Sequence, residues 1–199
     1  MATLAPIDLG DDVPPDGTRM TLQEFLDLPD APRAELVDGV FEMVPPAGGP
    51  HGHVNAGLLF RLFGYVREHG LGMVYDSSTA FVLRLRPPLV RAPDVSFVRR
   101  GRIDPAVKPG SVPLAPDLAV ETLSPSERAG KIQRKVEEYL EHGTELVWLV
   151  DPQRRSATVY TRDGGVRWLH EGDALDGGTV VPGFTVPLAF LFEDLAPPP

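Results

Sequence analysis

Two acids and a lysine near the middle of the sequence, Asp94, Glu121 and Lys135, have types and spacing that could do chemistry together. In the apolar run at residues 118–123, strand alternation puts Asp117, Ala119, Glu121 and Leu123 on one face. Leu118, Val120 and Thr122 take the other. A charged Glu121 in such a strand is costly unless it is paired or metal-bound; a salt bridge to a nearby arginine is the plain alternative. Asp94 opens the preceding strand, so pairing of the two strands brings both carboxylates to one helix layer. Two carboxylates about 4 Å apart repel by about 4 kcal/mol at an effective dielectric of ~20. A hard divalent cation turns that repulsion into binding, and Mg²⁺ commonly uses one or two carboxylates with waters and a phosphate. Asp117 lies roughly 13 Å along the strand from Glu121, which makes it a supporting residue. At 100° per residue, Lys135 on the following helix lies about 60° from Ile132 and about 40° from Tyr139. It flanks the buried face and can lean over the strand, or else snorkel to the surface. Lys131 sits further toward solvent. His51 and His53 offer either a His-x-His metal pair or hydrogen bonds where a loop enters a helix, close to the mouth of the site.

The elements that must hold these groups are legible in outline. Residues 1–19 read as a flexible, acidic, proline-bearing tail, residues 20–195 as one folded unit, and residues 196–199 as a loose end. Thr21 and Glu24 form a capping box for a short helix that Pro29 and Pro32 end. Residues 35–44 read as a hairpin around Asp38-Gly39. A loop at 45–52 precedes a helix with Val54, Leu58, Leu62 and Val66 at helical spacing, stopped by Gly70. Strands are expected at 79–86, closed by Pro87-Pro88, at 94–98 and at 118–123, with a basic loop at 99–116. Ser124-Pro125-Ser126-Glu127 gives a second capping box, and Ile132, Val136, Tyr139 and Leu140 the buried face of its helix. The run at 146–150 reads as a strand covered on both faces, followed by a C-terminal hairpin at 157–160 and 166–170. The fold class is α/β or α+β, a layered domain with a hairpin near each end.

The chain has 199 residues, no cysteine, 19 Lys+Arg and 28 Asp+Glu, for a net charge of −9. Absence of cysteine excludes disulfides, thiolate zinc and a cysteine nucleophile. No apolar run approaches the ~20 residues of a membrane helix, so no membrane partner and a cytoplasmic location are expected. The acidic total alone argues against nucleic acid. Yet residues 84–135 carry eleven basic and five acidic residues, net +6, leaving −15 elsewhere. Within this stretch Arg84, Arg86, Arg99, Arg100 and Arg102 are the candidate phosphate contacts, either as a basic face or as ordinary solvated surface.

Four segments carry a family resemblance. Arg91-Ala92-Pro93-Asp94-Val95-Ser96-Phe97-Val98 resembles a first motif, and Pro116-Asp117-Leu118-Ala119-Val120-Glu121-Thr122-Leu123-Ser124-Pro125-Ser126 a second. Lys135-Val136-Glu137-Glu138-Tyr139 followed by Val147-Trp148-Leu149-Val150-Asp151-Pro152 is similar to a third block, and Glu35-Leu36-Val37-Asp38-Gly39 to a hairpin near the start. Together they resemble the Uma-type restriction endonuclease-like family, a branch of the PD-(D/E)XK nuclease superfamily. The resemblance implies a mixed central sheet flanked by helices and an Mg²⁺- or Mn²⁺-dependent endonuclease acting on DNA. Asp94 then matches the Asp of the PD motif and Glu121 the following acid, both as metal ligands, with the Thr122 carbonyl as a further one. Leu123 occupies the usual lysine position, and Lys135 from the next helix is the matching lysine. Glu35 matches a family position, whereas Ala34 stands where the family often has tyrosine. Asp117, Lys131 and His53 are secondary candidates. The alternatives are a nuclease-like fold that binds nucleic acid or protein without cutting, and a structural subunit; edge strands and the C-terminal hairpin offer a homodimer surface.

Overall fold

The computed structural model describes residues 13–28, 33–103, 111–125 and 128–195. Along the chain lie α1 (Leu22–Leu26), β1 (Ala34–Val37), β2 (Val40–Met43), α2 (Gly49–His69), β3 (Gly72–Asp76), β4 (Phe81–Leu85), β5 (Pro88–Arg91) and β6 (Val95–Arg99). After a 3-10 turn (Arg100–Arg102) come β7 (Leu118–Thr122), α3 (Ala129–Glu141), β8 (Leu146–Asp151), β9 (Ser156–Thr161), β10 (Val166–His170), β11 (Ala174–Asp176), β12 (Thr185–Pro187) and α4 (Leu188–Phe192).

The central sheet has six strands in the order β10-β9-β8-β7-β6-β3. Its pairs are antiparallel except β7 with β8, which α3 connects. Alternation divides the sheet between two helix layers. Leu118, Val120 and Trp148 pack with Val54, Leu58, Leu62 and Val66 of α2 and with the C-terminal Leu188, Leu191 and Phe192. Ala119 and Val147 face the other way, onto Val136 and Tyr139 of α3. The expected mixed sheet flanked by helices is therefore present. Among the described residues, no helix is long and apolar enough to cross a membrane.

A second sheet, β2-β1-β5-β4, was not anticipated. The expected hairpin turns at Asp38 and Gly39, both at positive φ (52° and 76°), as a tight primed turn requires. Pro87-Pro88 does close a strand, but the chain returns at once as β5, with Pro88 as its first residue. β4 thus belongs with the N-terminal hairpin, where Val82 and Val90 pack on Leu36, and not beside β6.

Several boundaries shift. The tail expected at 1–19 is packed in its last part: Gly17 N–H donates to Phe41 O (2.9 Å) and Phe41 N–H to Thr18 O (2.8 Å), pairing this segment with β2. The capping box of α1 is formed. α2 begins at Gly49 with Pro50 in its first turn, so the loop expected at 45–52 ends earlier and both His51 and His53 are helical. α3 begins at Ala129 after an Arg128 cap, not at Ser124, because Leu123 N–H still bonds to Val150 O in the sheet (2.8 Å). Residues 1–12, Pro29, Pro32, the loop at 104–110, Ser126, Glu127 and residues 196–199 lie outside the described residues.

Candidate active site

Strands β6 and β7 pair with Val95 opposite Val120. Asp94 and Glu121 therefore meet at the end of this pair. Asp94 N–H donates to Val120 O (3.0 Å), and Thr122 N–H donates to Asp94 Oδ2 (2.8 Å). Glu121 points to the α3 side, where its neighbour Ala119 packs on that helix. Lys135 and Tyr139, one turn apart on α3, both reach it. Tyr139 OH donates to Glu121 Oε1 (2.8 Å), and Lys135 Nζ donates to Glu121 Oε2 (3.2 Å). The same Nζ lies 3.2 Å from Glu35 Oε1 on β1. Glu35 is fully buried and also accepts from Arg91 Nη1 (2.6 Å). Arg91 in turn donates through Nε to Glu138 of α3 (2.8 Å). One buried network thus ties the second sheet, α3 and the end of β7 together.

Of these groups, Glu35, Asp94, Glu121 and Lys135 line a cleft of about 620 Å³. The N-terminal turn of α2 brings His51 to it, with Nε2 3.0 Å from Asp94 Oδ2. Arg33 stands opposite, with Nη2 2.9 Å from Asp94 Oδ1. Arg128 and Lys131 also line the cleft, and Lys131 pairs with Glu42 (2.7 Å).

The two acids are held in different states. Burial pushes the Glu121 carboxyl up to about 7, and the negative charges of Asp94 and Glu35 add to it against Lys135 and the Tyr139 hydrogen bond. Burial also opposes ionisation of Asp94. There the His51 hydrogen bond, the Arg33 charge and the Thr122 amide prevail and hold the carboxyl below its ordinary value. Glu35 is likewise held low against burial, by Lys135 and Arg91. Burial, then the Glu121 and Glu35 charges, raise Tyr139 well above the ordinary phenol value, so it serves as a hydrogen-bond donor.

Among the described residues, no three His, Cys, Asp or Glu side chains form a ready-made metal cage. The Asp94–Glu121 pair nevertheless suits a hard divalent cation that keeps several waters. Asp94 Oδ1 is buried and accepts no hydrogen bond; the Arg33 guanidinium beside it is out of line for one and supplies charge alone.

Other expected residues lie elsewhere. Asp117, at the opposite end of β7, receives Arg99 N–H (2.9 Å) and pairs with Arg99 and Arg102. His53 faces away, 3.9 Å from Asp194; two residues on a helix differ by about 200°, so only one of the histidines can face the cleft. The five arginines do not form one face around it. Arg84 pairs with Asp38, Arg99 with Asp117 and Glu145, and Arg102 with Asp117. Arg86 borders α1, and Arg100 lines a groove with Phe63 and Met73. His51 takes the hydrogen-bonding alternative expected at the entry to the helix, whereas the roles of Arg33, Tyr139 and Arg91 are not among the expectations. Tyr139 carried a usable signal, its four-residue spacing from Lys135.

The sequence profile of the Uma2 family, described as "Putative restriction endonuclease", matches residues 22–189. The chain belongs to this family. No curated protein matches this Uma2-family chain. Among solved structures, it is similar to "a putative nuclease belonging to DUF820" from Anabaena variabilis ATCC 29413. The two share 23% sequence identity and a TM-score of 0.75, over 87% of this chain and 98% of that one. At that identity the likeness establishes the fold, which is restriction-endonuclease-like.

Proposed function

We propose that this Uma2-family protein is a metal-dependent endonuclease hydrolysing phosphodiester bonds in DNA, with Asp94, Glu121 and Lys135 as its catalytic residues. The observation that carries the reading is Lys135 Nζ, which reaches Glu121 from α3 although the strand itself offers only Leu123. The three group types of a two-acid-plus-lysine nuclease therefore meet in one cation-rimmed cleft. Family membership supports the reaction class.

Asp94 and Glu121 would hold Mg²⁺ or Mn²⁺, which when bound supplies charge stabilisation at the phosphate and a more acidic water. Glu35 and Glu121 hold the Lys135 ammonium between them. From there Lys135 orients the attacking water and stabilises charge developing on the phosphate oxygens. Arg33, Arg128 and Lys131 meet the flanking phosphates, which gives affinity without reading bases.

The test is cleavage of supercoiled plasmid with Mg²⁺ or Mn²⁺. Lys135→Ala is expected to lose about a hundredfold or more in rate, and Glu121→Ala to abolish cutting. Equal cleavage by wild type and Glu121→Ala would assign the activity to a contaminant or another site. DNA binding without any cleavage by the wild type would favour the non-cutting module.

A further inference from the structure

Asp94 accepts hydrogen bonds at one oxygen only and meets the Arg33 guanidinium at the other. Its Oδ2 accepts from Thr122 N–H (2.8 Å) and faces His51 Nε2 (3.0 Å). Its Oδ1 is buried and accepts no hydrogen bond, with Arg33 Nη2 2.9 Å away. Behind His51 runs a short relay. Thr122 Oγ1 donates to Asn55 Oδ1 (2.6 Å), and Asn55 Nδ2 lies 3.1 Å from His51 Nδ1. His51 and Asn55 are one turn apart on α2, so both reach the end of β7 from a rigid element.

Donor and acceptor logic fixes the ring. An amide nitrogen carries only protons, so His51 Nδ1 must present its lone pair to Asn55. The single proton of a neutral ring is then on Nε2, aimed at Asp94. The opposite amide orientation would put the proton on Nδ1. Nε2 would then turn a lone pair on the Asp94 carboxylate, with nothing to share between them. For a neutral ring, only the first arrangement satisfies every group in the chain.

We propose that His51 is a positioning residue. Locked by Asn55 and Thr122 as the Nε2–H tautomer, it holds Asp94 Oδ2 and leaves Oδ1, which accepts no hydrogen bond, as the oxygen that exchanges the Arg33 charge for a divalent cation. This rests on the metal-dependent reading above and extends it to a part of the site outside the acid–acid–lysine set. Such supports of a metal ligand are typically worth 10–100-fold in affinity.

Two measurements test it. In the cation-free full chain, long-range ¹H–¹⁵N correlation spectra are expected to show His51 Nδ1 unprotonated and Nε2 protonated. A proton on Nδ1 would overturn the proposal whatever the activity. Calorimetric titration with Mn²⁺ alone is expected to show about 10–100-fold weaker binding for His51→Ala. His51→Gln, whose amide N–H takes the place of Nε2–H, is expected to recover most of that loss. If His51→Ala binds Mn²⁺ as tightly as wild type, the positioning role fails while the metal reading stands. If His51→Gln binds no better than His51→Ala, the hydrogen bond to Asp94 is not what His51 contributes, and the proposal again fails. If wild type itself binds no Mn²⁺, the metal reading fails and takes the proposal with it.

Discussion

Three carboxylates and one lysine share the floor of the cleft, and Glu121 is the one on which burial prevails. Its carboxyl rises from an ordinary 4.5 to about 7, through burial first and the Asp94 and Glu35 charges after it. Such an acid keeps its proton in the folded chain at pH values where the unfolded chain has lost it. Its contribution to stability is therefore full at low pH and falls as pH rises from about 4.5 to about 7, then levels. Asp94 and Glu35, held low, act with the opposite sign at lower pH, and both remain in a Glu121→Gln variant. The difference in unfolding free energy between wild type and Glu121→Gln, from urea titrations across pH, is expected to move in favour of the variant through that window. Parallel curves would mean that Glu121 ionises like an exposed acid. By the same linkage, Mn²⁺ binding to wild type is expected to tighten as pH rises through about 7, with proton release visible as a buffer-dependent heat.

Arg91 shows how the elements depend on one another. It stands on β5 and its side chain is 1% exposed, between Glu35 of β1 and Glu138 of α3. Removing its charge leaves two buried carboxylates without their main partner, a loss of about 3–5 kcal/mol. Arg91→Met is expected to lower the urea midpoint accordingly, and Arg91→Met with Glu138→Met to cost less than the sum of the single changes. Additive losses would mean that the two side chains do not act as a pair. Arg91 also marks the limit of what the sequence reveals. Glu121, Asp94 and Lys135 were legible because strand alternation and helical rotation are local rules. The Asp38-Gly39 turn and the face of α2 were legible for the same reason. Pro87-Pro88 reports only restricted dihedrals and a missing donor; whether the chain then returns is decided by β5 pairing with β1, about fifty residues away. His51 reads as a loop residue because Gly49, Pro50, His51 and Gly52 carry no apolar periodicity, although they form the first turn of α2. Arg33 and Tyr139 acquire their roles only when separate segments meet.

At the scale of the whole molecule, folding redistributes the charge excess of residues 84–135. Their net +6 does not survive as a basic face, because acids from other segments cap most of it. Asp38 takes Arg84 and Arg134, Glu145 takes Arg99, and Arg91 is interior. From this stretch Arg128 and Lys131 line the cleft, Lys131 through an exchangeable pair with Glu42 at its rim, and Arg33 joins them from outside the stretch, on a chain of net charge −9. Counterion release gives a slope near −0.9 per neutralised phosphate in a plot of log affinity against log salt. Three cleft cations therefore set an expected slope of about −3 for duplex DNA. Fluorescence anisotropy in a Glu121→Gln background, without divalent cation, measures it. Lys131→Ala should make the slope shallower by about one. Arg99→Ala, which removes a cation tied to Asp117 and Glu145 at the far end of β7, should leave it unchanged. Equal changes from the two variants would mean that the DNA path runs the length of β7 and that the ion pairs of Arg99 open to admit it.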